Sequence, residues 1–396
     1  MKTVSARSLC MFAIFFAGIS VFLVSPSQAQ SFSVIRSFAD NDGTGPLAGL
    51  AMDAKENLYG TASSGGVYGD GVVFKASRNG AEMVLHSFGH GDDGSTPESS
   101  VIFDATGNLY GTTFVGGAFS SGTVFKISAK GTEAVLYSFG GVADGANPIA
   151  GLAMDKAGNL YGTTSAGGTF NAGTVFKVSP TGKHTVIYNF GQGVDDGSTP
   201  VAGITLDSEG NLYGTTSVGG VAGYGTVFEL KPSASAWKET ILHQFELQND
   251  GGTPYAGLIF DQSGNLYGAA TQGGDGSGGG GTVFELTPSG GRWSFKVLYG
   301  LAGWNISGTF RDLLLDSTTG IIYATTHCDG LDDAGTVYAL TPSSGSWIYN
   351  QLYTFTGGAD GLYSFSNLVI DKSGYLYGTT FQGGANGFGV IFRIKP

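Results

Sequence analysis

Aspartate is the residue that recurs most strictly in this chain at places where it could do chemistry. Asp53, Asp104, Asp155, Asp207, Asp261, Asp316 and Asp371 form one series, in most copies followed by two or three residues, then Gly and Asn. Asp42, Asp93, Asp144, Asp196, Asp250 and Asp360 form a second, each before Gly, with Asn305 in the sixth place. A glycosidase needs two carboxyls set across one bond, and a Ca²⁺ site gathers several oxygens in one locality. Acids spaced one per copy suit neither. An Asp that accepts backbone N–H bonds in a turn, or that precedes a Gly in a turn, accounts for both series.

The other reactive side chains are sparse. His86, His90, His184, His243 and His327 stand at no metal-ligand spacing. His86 and His243 share a position with Tyr137 and Tyr188 and read as surface residues of an outer strand. Gly-Gly pairs such as Gly167-Gly168 precede no helix, so they form no phosphate-binding loop. Trp237, Trp293 and Trp347 each precede an outer strand, where packing explains them. The sixth copy breaks the pattern: Arg311 and Asp312 replace the Ala150-Gly151 of the third copy, Trp304-Asn305 replaces Asp-Gly, and His327-Cys328-Asp329-Gly330 follows. An extra residue within Asp316–Gly320, and Ala324 in place of Gly, mark the same copy. Trp304, Asn305, Arg311, Asp312, His327 and Asp329 are therefore the candidate ligand-binding residues, weighed against drift of a repeat with no ligand at all. Arg311 suits a carboxylate and Trp304 a sugar ring. Alternation along an inner strand would send just one of Arg311 and Asp312 into a central channel. No catalytic residue, metal or cofactor is assigned.

The elements that would position these residues follow from the stretch GNLYGTT, Gly158–Thr164. Its tyrosine returns as Tyr59, Tyr110, Tyr161, Tyr213, Tyr267, Tyr323 and Tyr377, at intervals of 51 to 56 residues. A period of that size marks a repeat architecture whose units bury their apolar faces against neighbours. Each copy holds four short runs rich in β-forming residues, bounded by Gly, Pro, Asp and Asn. The first, such as Leu152-Ala153-Met154, is apolar on both alternations, as a strand buried on both faces would be. Four-stranded sheets set radially make a β-propeller, so the chain reads as an all-β, seven-bladed propeller. Ser31–Phe38 resembles an outer strand but precedes the first copy, and the last copy stops after its third run. The N-terminal strand is thus expected to complete the seventh blade.

Residues 1–29 read as a signal peptide: Lys2 and Arg7, an apolar run over 9–24, and Ser27-Gln28-Ala29 before a cut. Residues 30–396 form the propeller. Without the leader, 17 basic residues face 31 acidic ones, a charge of −14, and one cysteine, Cys328, remains. Such acidity argues against nucleic acid or an anionic membrane as partner. A lone thiol makes no internal disulfide, so packing alone must hold the exported chain.

The unit LYSFxGxxDGxxPxAGLxxDxxGNLYGTTxxGGxxxxGTVFK resembles the GloVer (Gloeobacter/Verrucomicrobia) tandem repeat of exported bacterial proteins, over essentially the whole mature chain. That resemblance implies no reaction and no catalytic residues. The chain ends at Lys395-Pro396 without the anchoring tail such proteins often carry, which favours a free protein. The expected function is a secreted or periplasmic, monomeric, non-enzymatic binding or scaffold protein for a polysaccharide or another protein. The alternative is a carbohydrate-active hydrolase or lyase using Asp312 and Asp329.

Overall fold

The computed structural model describes residues 31–234, 236–274, 279–302 and 308–396. The expected signal peptide lies outside the described residues, as do Trp304 and Asn305.

Each letter of the repeated heptapeptide has its own task, seen in the third copy. Gly158 takes φ +80°, which a turn of this shape requires. Asn159 and Tyr161 both donate to Asp155 Oδ2, at 2.7 and 3.1 Å, while Asp155 Oδ1 accepts the N–H groups of Ala157 and Asn159. Leu160 is buried in the core. Gly162 lies under the Phe176 ring, where a Cβ would come within 2.6 Å of it. Thr163 donates to the carbonyl of Ala202 in the next blade at 2.9 Å, and Thr164 shares a hydrogen bond with Thr174. The motif recurs because each unit must make the same internal and neighbour contacts.

Those contacts set the strands. In this copy strand a is Ala153–Met154, b is Leu160–Thr164, c is Thr174–Val178 and d is His184–Asn189, paired antiparallel in that order. Seven such sheets form a seven-bladed β-propeller with strand a innermost. The inner strands are two residues long and half-buried, shorter and more open than the apolar runs suggest. The segment before the strand bonds across the blade junction instead, where the carbonyl of Ala150 accepts from Thr112 of the preceding blade.

Ring closure follows the expected pairing. Ser31–Ser37 runs antiparallel to Val390–Lys395, with Ser31 opposite Lys395 and Ser37 opposite Val390. The threonine latch also crosses the closure, since Thr379 donates to the Ala48 carbonyl at 3.0 Å. Closure leaves no free end to the ring of sheets.

Blade six departs in a compensated way. Ala324 replaces the glycine that elsewhere lies under a Phe ring, and Tyr338 replaces that Phe. Tyr338 instead hydrogen-bonds Thr309 at 2.7 Å and stacks on Tyr349. The extra residue in the Asp316 turn changes its bonding: Asp316 accepts from Thr318 and Thr319. Blade five contributes the other break, because Ala269 stands where the latch threonine should be.

Candidate functional site

The segment entering each inner strand carries three residues toward the axis. The third of these reads Gly49, Ser100, Gly151, Gly203, Gly257, Asp312 and Asn367 through the seven blades. All but Gly49 line a central cavity of about 220 Å³. Glycine keeps it open: a Cβ on Gly257 would meet Asp312 Oδ1 at 2.7 Å. Asp312 Oδ1 accepts the Gly257 N–H at 2.7 Å, and Ser100 Oγ reaches Asn367 Oδ1 at 3.4 Å.

Arg311 is half-buried and crosses the channel mouth. Its guanidinium donates to the carbonyls of Leu47 in blade one and Glu98 in blade two, at 3.4 and 3.3 Å. Burial raises the Glu98 carboxyl above its ordinary range, while the charge of Arg311 pulls it down. Both Arg311 and Asp312 therefore point inward, against the expectation that alternation would separate them. Alternation applies within an extended strand, and in this blade strand a begins at Leu314.

His327 and Asp329 occupy a different environment. At the His327 position Ser63, Ser165, Ser217 and Thr271 donate to backbone carbonyls at 2.7 to 2.9 Å. The imidazole instead stacks on Phe365 at 4.0 Å, beside Phe310 and Tyr363. Its Nδ1 has no partner among the described residues, and burial pulls its pKa down to about 4, so it is neutral at pH 7. Tyr255 and Phe381 extend this half-buried aromatic arc over blades five to seven. Asp329 accepts the Gly330 N–H, and burial, with Asp333 nearby, raises its pKa. Among the described residues, Asp312 and Asp329 share no hydrogen-bond partner.

The second aspartate series is tied to the outer strands. Asp93 meets His86 Nε2 at 3.0 Å, Asp250 meets His243 at 2.9 Å, and Asp360 accepts from Tyr353 at 2.9 Å. Tyr137 and Arg36 engage Asp144 and Asp42 in the same way. His86 and His243 are thus not simple surface residues: their side chains are 19% and 18% exposed. A residue from the next blade packs on each partner, as Phe295 does on His243 at 3.6 Å, and Glu239 accepts from Tyr188 at 2.6 Å.

The loop-rich face also carries exposed apolar tips. Tyr68, Phe119 and Phe170 hold equivalent b–c loop positions in blades one to three and are 52 to 64% exposed. Val142 and Val194, on d–a connections, are 83% and 86% exposed.

Glu98, Ser100, Asn367 and the aromatic arc escaped the reading of the sequence. Writing all seven copies in register would have exposed them, as polar or aromatic residues at positions otherwise held by small or aliphatic ones.

Solved structures with related folds include puromycin hydrolase, with TM-score 0.58 and 11% identity over 86% of this chain and 50% of that one. A protein from Lactobacillus plantarum gives 0.53 and 15%, covering 86% and 99%. A putative 6-phosphogluconolactonase from Bacteroides fragilis gives 0.51 and 18%, covering 81% and 86%. At such identities the likeness is one of fold. No curated protein matches. The Gloeobacter/Verrucomicrobia repeat model matches residues 17–220 and 202–396. With two matches spanning nearly the whole chain and seven blades that repeat one unit, the protein belongs to the Gloeobacter/Verrucomicrobia repeat family.

Proposed function

We propose that this is an exported, non-enzymatic binding protein that holds a macromolecular ligand, polysaccharide or protein, against its loop-rich face. The observation that carries the reading is the exposure of Tyr68, Phe119 and Phe170 at matching loop positions on one face. Large apolar side chains gathered on one face mark interaction sites. The described members of the two aspartate series support the same reading, because they are hydrogen-bonded within turns or to outer strands. Asp312 is engaged by Gly257, and Asp329 by its own loop, which leaves the hydrolase or lyase reading without a supporting contact.

A glycan and protein array probed with the wild-type chain, followed by product analysis, tests this. The expected result is binding without turnover, weakened at least tenfold in Tyr68→Ser/Phe119→Ser/Phe170→Ser at unchanged melting temperature. New reducing or unsaturated ends in a glycan would overturn it.

A further inference from the structure

A cleft lies on the opposite face, between blades four and five, and the channel has no part in it. It measures about 690 Å³, inside the range of roughly 300–1,000 Å³ in which small-molecule sites fall. Three features of the sequence form its walls. The first is an exchange on strand c. In blades one to three a lysine covers the motif tyrosine, as Lys177 covers Tyr161 at 5.5 Å. Blade four has Glu229 there, nine-tenths buried and beyond, and it accepts from the Tyr213 hydroxyl at 2.6 Å. The lysine cover is thereby absent, and Tyr213, itself buried, forms the floor beside Glu229.

The second feature is the lengthened c–d hairpin of blade five, Thr282–Ser289 with Arg292–Gly300, which stands as a wall over the Asp207 turn. The third is Trp293 on that hairpin. It is half-buried and meets Tyr213 edge-on, with ring centroids 5.9 Å apart, so it borders the cleft without filling it. The tyrosine–glutamate bond and the tryptophan recur one blade on. Glu285 accepts from Tyr267 at 3.0 Å, Trp347 stands 6.4 Å from Tyr267, and a cleft of about 460 Å³ lies between them.

We propose that these two clefts are glycan-binding sites, each taking one neutral sugar unit on its tryptophan. A sugar presents an apolar face that stacks on an indole and a rim of hydroxyls that both donate and accept. The first cleft matches both properties. Asp207 and Glu229 accept, Lys231 and Arg292 donate, and Trp293 supplies the platform. Lys231 lies 3.0 Å from Glu229, so the acid is balanced and an added cation is not called for. Two such clefts on adjacent blades suit a polymer, because linked units bind with the gain of effective concentration.

The test uses the full secreted chain on a glycan array, with affinities for any hit measured by tryptophan fluorescence titration. Trp293→Ala removes the platform, and Glu229→Lys restores the residue type of blades one to three and fills the cleft. Both are expected to weaken binding at least tenfold. Glu229→Lys also removes the Tyr213 acceptor and sets a cation beside Lys231, so its melting temperature should fall. Arg292→Ala, at an exposed donor of the cleft, should weaken binding with the melting temperature near wild type, which separates lost binding from lost folding. Trp347→Ala should lower affinity further and remove the avidity of the second cleft. Unchanged affinity in Glu229→Lys, or no glycan bound at all, overturns the proposal. Binding lost only in the Tyr68/Phe119/Phe170 variant also overturns it, while leaving the loop-face reading intact.

Discussion

Replacing Thr163 by valine tests whether hydroxyl latches hold the ring together. Six blades use such a latch on the next blade, through Thr61, Thr112, Thr163, Thr215, Thr325 and Thr379, at 2.9 to 3.2 Å. Thr163 is 1% exposed, and valine preserves its shape while removing the donor. The carbonyl of Ala202 then loses its partner in a buried place, at a cost of about 1–3 kcal/mol. A ring of this size has an unfolding entropy of roughly 0.8 kcal/mol/K, so the melting temperature should fall by about 1–4 °C. The junction of blades five and six supplies the reciprocal experiment, because Ala269 there is fully buried and has no hydroxyl. Ala269→Thr can donate to the Arg311 carbonyl, whereas Ala269→Val adds the same volume without a donor. The threonine variant should exceed the valine variant by about 1 kcal/mol. Calorimetry and guanidinium unfolding measure both differences. Equal stabilities of threonine and valine at 163 would refute the latch as a source of cohesion.

Three further outcomes follow from the contacts. Burial pushes the Glu133 carboxyl up to about 7, with Asp93 adding to the shift. A raised folded pKa means that its stabilising contribution is complete below about 4.5 and is lost as pH rises through about 7. Glu133→Gln should therefore leave stability unchanged at pH 4 and raise it by about 1 kcal/mol at pH 8, a figure discounted for partial exposure. Thermal melts across that range decide it. Gly162→Ala forces a Cβ to 2.6 Å from the Phe176 ring and should cost about 1–3 kcal/mol. Adding Phe176→Tyr, which writes the Ala324/Tyr338 pair of blade six, should not rescue it without partners like Thr309 and Tyr349. Mass spectrometry of the secreted chain should find an N-terminus at Gln30, and a chain retaining Met1 in the membrane fraction would refute export by cleavage.

The sequence by itself determined what repeats. A blade's internal contacts lie at fixed separations, such as Asp155 to Tyr161, Gly162 to Phe176 or Thr163 to Ala202, so they print a period into the chain. Seven tyrosines counted the blades, and the displaced strand at Ser31–Ser37 showed how the ring closes. Tertiary structure alone decided what meets where copies differ. Arg311 reaches Leu47 and Glu98 across separations of 264 and 213 residues, because the axis gathers one residue from every blade at one small radius. The clefts arise the same way. Glu229 comes from one blade and Trp293 from the next, and the two border one cleft beside the tyrosine that a lysine covers elsewhere. Periodicity reports what each unit shares with the others. The residues that distinguish one unit follow no spacing, and their meaning appears once the ring brings unlike neighbours into contact.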